Sequence, residues 1–160
     1  KFKEIGDKKK FVYDDDLAAL VEGHITTVPE TWALDYLNVS TGNQTVPTAT
    51  VRLTKKDGSK TQVEQDASIG DGPVDASLKA IDRISKTKGK LMDYSIRAVS
   101  QGKDALGEVT LKVDFGDGDQ MTGKGASTDI IEASARAYLN AVNRYLNNGR
   151  KGRKRKPRQP

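Results

Sequence analysis

Residues 107–115, GEVTLKVDF, and residues 46–53, VPTATVRL, are the stretches on which the fold turns. In the first, Val109, Leu111, Val113 and Phe115 alternate with Thr110, Lys112 and Asp114. In the second, Ala49, Val51 and Leu53 alternate with Thr50 and Arg52. A side-chain period of two marks a strand with one buried face. The same order of elements surrounds each stretch. Upstream, strand-like alternation runs from Trp32 to Val39 in one case and through Tyr94, Ile96 and Ala98 in the other. Downstream, Lys56-Asp57-Gly58-Ser59 turns the chain into a strand around Thr61 to Ala67, and Gly116-Asp117-Gly118-Asp119 turns it into a short strand from Gln120 to Lys124. A helix closes each pass. The first runs from Pro73 to about Thr87, with Val74, Leu78, Ile81 and Ile84 on one face. The second is longer and carries Ile131, Ala135, Tyr138, Val142 and Tyr145 as a sustained stripe.

The two passes overlay in sequence. Asp35-Tyr36 matches Asp93-Tyr94 at a separation of 58, and Val51 and Leu53 match Val109 and Leu111 at 58. Asp57-Gly58 matches Asp117-Gly118 at 60, and Asp75-Ala76-Ser77 matches Glu132-Ala133-Ser134 at 57. The expected fold is therefore α+β: two pseudo-twofold-related βββα units with antiparallel three-stranded sheets, residues 31–89 and 90–148, preceded by a short linker helix. That helix starts at Asp14-Asp15-Asp16, carries Leu17, Leu20 and Val21, and ends near Gly23, within a charged leader at 1–30. A lone unit of ~60 residues is marginally stable, so the units are expected to pair. The seam between them is a natural place for a small ligand.

Composition narrows the chemistry. The 160 residues contain no cysteine and one histidine, which excludes disulfides, thiol nucleophiles, Cys-ligated zinc and two-His metal sites. His24 has no visible catalytic partner and reads as a solvated helix-end residue. No apolar run approaches the ~18–20 residues of a membrane helix. The formal charge of +5 belongs to the end of the chain: residues 149–160, GRKGRKRKPRQP, hold seven basic side chains and no acid. The other 148 residues carry 20 basic and 22 acidic side chains, close to neutrality. Such a run buries no apolar area and is expected to be a disordered tail. The sequence opens at Lys1 without an initiator Met or signal core, as expected of a piece of a longer protein.

The two helix starts differ. In the second unit Asp129 and Glu132 have capping-box spacing, with Ser127 and Thr128 as competing N-caps. In the first, Gly70-Asp71-Gly72-Pro73-Val74-Asp75 places proline at the first helical position and two glycines before it. This is either a tight loop before a helix or a receiver for an anion at the positive end of the helix dipole. Asp71 and Asp75 crowd the turn with negative charge, and no Lys or Arg falls within it. An amino-acid zwitterion suits it better than phosphate.

These residues resemble the C-terminal regulatory domain of the 2-isopropylmalate synthases. The resemblance is carried by VPTATVRL (46–53), GDGPVDASLKAIDRI (70–84), LMDYSIRAVSQGKDALGEVTLKV (91–113) and GASTDIIEASARAYLNAVNRYL (125–146). It implies a tight homodimer, leucine bound between the units as feedback effector, and attachment to a catalytic TIM barrel that this chain lacks. That barrel would condense acetyl-CoA with 2-oxoisovalerate on a divalent metal, so no cofactor and no catalytic residue is expected in this chain. The ligand contacts it implies are Gly70, Asp71, Gly72, Asp75, Leu91, Tyr94, Ala98, Ala105 and Ile130. Leu91, Ala98 and Ile130 would surround the isobutyl group, and the Gly70 to Gly72 backbone would meet the polar end. Asp75 departs from the small apolar residue of some relatives, and would meet the ammonium group or favour the helix start. A cytoplasmic setting without membrane attachment follows from the same resemblance.

Two other readings stay open on sequence. One is the isoleucine-sensing regulatory domain of a citramalate synthase, separated from leucine sensing by one repositioned methyl. The other is a nucleic-acid module using the basic tail, disfavoured by three Phe and one Trp in a nearly neutral body. No nucleophile–base pair, metal cluster or cofactor loop supports a free-standing enzyme.

Overall fold

The computed structural model describes residues 30–99, 105–116 and 118–155. The linker helix expected at 14–23 lies outside the described residues. The element order is β1 (Ala33–Gly42), β2 (Thr45–Asp57), β3 (Lys60–Ile69), α1 (Pro73–Ser85), β4 (Lys90–Ala98), β5 (Gly107–Asp114), β6 (Gln120–Ser127) and α2 (Ile130–Arg155). The strands form two antiparallel sheets, β1-β2-β3 and β4-β5-β6, so βββα occurs twice. Among the described residues no helix is long and apolar enough to cross a membrane.

Each central strand presents its alternating apolar set to a helix. Val51 and Leu53 face α1, and Val109, Leu111 and Val113 face α2, all essentially inaccessible to water. The helices also pack on each other and β1 reaches α2, so both units share one hydrophobic core. α2 lies very close to β6: a Cβ on Gly123 or Gly125 would run into the backbone of Ala137 or Ala133. That proximity is why the α2 stripe widens beyond the expected positions to include Ala133, Ala137 and Ala141, all fully buried.

Two polar ties also join the units. The Asn143 side chain mimics a strand partner: its Oδ1 accepts the Trp32 N–H at 2.9 Å and its Nδ2 donates to the Trp32 carbonyl at 2.9 Å. Tyr138 Oη donates to Asp82 Oδ1 at 2.6 Å, linking α2 to α1.

α1 ends where Lys86 takes the left-handed conformation, φ 56°, slightly short of the expected Thr87. α2 continues past Asn148 through Arg155, whereas a disordered tail was expected from residue 149. Once the packed part of α2 has nucleated the helix, adding Lys and Arg residues is inexpensive and cations favour the C-terminal end of the dipole, against a cost of about 1 kcal/mol each for Gly149 and Gly152. Residues 156–160 lie outside the described residues.

The repeat holds for the helices and slips in the first strands. Ser77 and Ser134 each donate to the carbonyl four residues back, of Pro73 and Ile130, and Asp75–Lys79 and Glu132–Arg136 are matching ion pairs. In β4, however, Tyr94 stands opposite Leu111, whereas in β1 Tyr36 stands opposite Arg52 and Leu34 stands opposite Leu53. The sequence match Asp35-Tyr36 with Asp93-Tyr94 is therefore not a spatial one. A one-residue offset in pairing sends a side chain to the opposite face. Tyr94 faces α2, and Tyr36 lies on the outer face beneath the Arg52 guanidinium, 5.2 Å from its ring centroid.

Candidate functional site

A cleft of about 660 Å³ opens along the seam between the units. Its walls are Val74, Asp75, Leu78, Lys79 and Asp82 of α1, Lys88, Gly89, Leu91 and Tyr94 leading into and along β4, and Tyr138 of α2. β4 is an edge strand, so Leu91 and Tyr94 stay 39% and 37% exposed although both lie on the helix-facing side. They share that side despite an odd separation because β4 bulges between Leu91 and Asp93. The Tyr94 ring is held at its far end. Ser134 Oγ gives its proton to the Ile130 carbonyl at 2.7 Å, so Tyr94 Oη, 2.6 Å away, is the donor to Ser134.

The start of α1 stands at one end of this cleft. Gly70 is sterically required: its N–H donates to the Pro47 carbonyl at 3.0 Å, and a Cβ there would collide with Ala76 N and Asp75 Oδ2. Asp75 Oδ2 accepts the Asp71 N–H at 2.9 Å and pairs with Lys79 Nζ at 2.9 Å. Partial burial raises the Asp75 pKa, but those two donors outweigh it and the carboxyl titrates below its ordinary value. Both donors come from this chain, so Asp75 organises the turn.

Gly72 is different. It is the N-cap of α1, its φ of −160° is extended backbone open to any residue, and a Cβ there would touch nothing within 4 Å. Neither strain nor crowding demands glycine. Its effect is to leave α1 without a side-chain cap, so that no N-cap side chain accepts from the first-turn N–H groups. The corresponding position in the second unit is Asp129, because Ala76 N–H bonds the Gly72 carbonyl as Ala133 N–H bonds that of Asp129. Asp129 Oδ1 accepts the Ile131 N–H at 2.8 Å and lies 3.5 Å from the Glu132 nitrogen. The capping box forms with a detour. Ser127 Oγ accepts the Asp129 N–H at 3.1 Å and donates to Glu132 Oε2 at 2.9 Å, so Glu132 acts through the serine. Arg136, then Ser127, hold the Glu132 carboxyl below its usual value against a smaller effect of burial. Thus a carboxylate occupies the helix start in one unit, and its place is empty of side chain in the other.

The candidate residues named from sequence divide into three groups. Asp75, Leu91 and Tyr94 line the cleft. Gly70, Asp71 and Gly72 belong to the turn that leads into α1, tied to it by the Asp71 N–H bond to Asp75, and are not themselves in the lining. Ala98 lies four residues beyond Tyr94, ~13 Å along the strand, paired with Gly107, against which Ile130 Cδ1 packs. Ala105 is exposed on the approach to β5. Ala98, Ala105 and Ile130 are outside the cleft lining.

Sequence reasoning missed Val74, Leu78 and Tyr138, whose helical spacing marks them as core, and Lys79, Asp82, Lys88 and Gly89. Asp82 carried a signal, an acid four residues after Leu78 at the border of the apolar stripe. Burial raises its pKa, opposed by hydrogen bonds from Tyr138, Thr87 and the Gly89 backbone. Burial likewise raises the Tyr138 hydroxyl well above its ordinary value, with the Asp82 charge adding to it. Among the described residues, no group of three or more His, Cys, Asp or Glu side chains is placed to hold a metal ion.

Residues 11–146 match the family described as the LeuA allosteric (dimerisation) domain. The chain is 53% identical over 145 residues to a 2-isopropylmalate synthase of Methylacidiphilum infernorum and 54% identical over 146 residues to one of Carboxydothermus hydrogenoformans. In each case the match covers 91% of this chain and 28% of the relative. A 2-isopropylmalate synthase of Microcystis aeruginosa is 48% identical over 143 residues, 89% of this chain and 26% of its own length. The chain therefore spans little more than a quarter of these relatives, and with its two βββα units it belongs to the LeuA allosteric (dimerisation) domain family.

Proposed function

We propose that this domain is the leucine-sensing, feedback-regulatory part of a cytoplasmic 2-isopropylmalate synthase, working as a homodimer beside a catalytic barrel that condenses acetyl-CoA with 2-oxoisovalerate on a divalent metal. The amino acid lies in the cleft between the units. Its carboxylate takes the uncapped N–H groups at the start of α1, and its isobutyl group lies against Val74, Leu78, Leu91 and Tyr94. The observation that carries this reading is the contrast between Gly72 and Asp129. The second unit fills its helix start with its own carboxylate, and the first keeps the same position free of side chain and open. Pairing with a second copy is supported by the family description and by the exposed apolar side chains Met92 and Ile96 on edge strand β4.

Regulation requires that leucine bind one arrangement of the whole enzyme better than another. By linkage, active-state ligands that disfavour the leucine-bound arrangement weaken leucine by the same factor. Titration calorimetry with leucine, isoleucine, valine and leucinamide tests the reading. Leucine is expected to bind most tightly. Leucinamide, lacking the carboxylate, is expected to lose at least tenfold. Leucine and leucinamide binding equally would remove the helix-start contact, and tighter binding of isoleucine would move the domain to isoleucine sensing.

A further inference from the structure

On the face of α2 away from the ligand cleft a second depression runs between β1, β6 and α2. It consists of two adjoining hollows, about 350 and 400 Å³, that share Leu34 and Arg136. Its apolar floor is Leu34, Leu37, Ile131 and Leu139. Glu30, the first described residue, lies in its wall, so the preceding chain enters at this groove. Trp32, fastened at both backbone polar atoms to Asn143, fixes that point of entry.

We propose that the groove is the seat of this chain's own segment 14–23, with Leu17, Leu20 and Val21 covering Leu34, Leu37 and Leu139. Three observations favour this occupant. Leu17, Leu20 and Val21 have the i, i+3, i+4 spacing of one helix face, so they present a single apolar edge to a groove. The eight residues between Val21 and Glu30 reach at most ~28 Å when extended, ample for a segment that must turn back onto a wall containing Glu30. The family match begins at residue 11, so this segment recurs together with the fold.

The consequence concerns signalling. α2 shows Tyr138 to the ligand cleft and holds Tyr94 through Ser134, and shows Arg136, Leu139 and Asn140 to the groove. One helix thus touches both the ligand cleft and the segment that precedes the domain. The docking stands independently of leucine binding, so each fails separately.

The chain has no cysteine, which makes pairwise crosslinking unambiguous. Leu20→Cys is combined in turn with Leu34→Cys, Leu37→Cys, Asn140→Cys and, as a distant control on exposed β3, Thr61→Cys, and each pair is oxidised. Rapid intramolecular crosslinking to at least one groove position, at least tenfold faster than to the control, is expected. Adding Leu17→Asp and Val21→Asp is expected to slow it to the control rate. Equal rates at groove and control positions overturn the proposal. Crosslinks only between chains also overturn it, and assign the groove to a second copy.

Discussion

Replacing Gly72 by Asp turns the helix start of the first unit into a copy of the second. The backbone accepts the change, because φ −160° and ψ 179° suit any residue and the Cβ enters open space. Asp is a better N-cap than Gly by a few tenths of a kcal/mol, and a carboxylate at a helix start adds ~0.3–1 kcal/mol. Folding stability should therefore rise by up to ~1 kcal/mol, less whatever repulsion Asp71 and Asp75 exert. Ligand binding should fall. The new carboxylate takes the N–H groups assigned to the leucine carboxylate, and a charge-assisted hydrogen bond contributes ~1.5–3 kcal/mol. At 1.4 kcal/mol per decade, that is about 10- to 100-fold in Kd. Urea unfolding gives the first quantity and calorimetry the second. Unchanged leucine affinity in a stabilised variant would refute the placement of the carboxylate. A stability loss above ~1 kcal/mol would refute the argument that Gly72 is structurally dispensable.

Asn143→Ala should cost ~2–5 kcal/mol in urea unfolding, since it leaves both backbone polar groups of buried Trp32 without their partners. Gly123→Ala should cost ~1–3 kcal/mol by pushing α2 away from β6, with Ala126→Gly on the exposed side of the same strand as a milder comparison. Two acids of α1 should act oppositely on acid unfolding. Asp75 has a lowered pKa, so its contribution is full above its unfolded pKa of about 3.9 and is lost as pH falls through the folded value. Asp82 has a raised pKa, so its contribution declines as pH rises from the unfolded value through the folded one. Asp75→Asn should flatten the acid-side loss of stability. Asp82→Asn should remove the opposing slope, and stability curves against pH with parallel shapes for the two variants would contradict both assignments.

The duplicated fold was legible because its strands bury one face and its helices carry unbroken apolar stripes, signals that survive in a single sequence. Alternation in Val109, Leu111 and Val113 fixed the inward face of β5 without any knowledge of the partner strand. What a pattern cannot carry is pairing register. Tyr36 and Tyr94 occupy the same place in the repeat and face opposite ways, because register is decided by bulges and cross-strand contacts. The glycine turn was legible as an unusual helix start, but not which glycine mattered. Gly70 answers to Ala76 and Asp75 pressing against it, whereas Gly72 answers to nothing nearby. Val74, Leu78 and Tyr138 were hidden as cleft walls because a side chain lining a seam has the same spacing as one sealed in a core.

The offset between β1 and β4 also bears on how the two halves diverged. Each first strand carries its own bulge, at a different point, so restoring equivalence would require a bulge and its pairing to move along the strand. Such a shift of register would turn a row of side chains inside out at once. The two halves are therefore not interchangeable at their first strands: one turns its tyrosine inward to Ser134, and the other holds it out under Arg52.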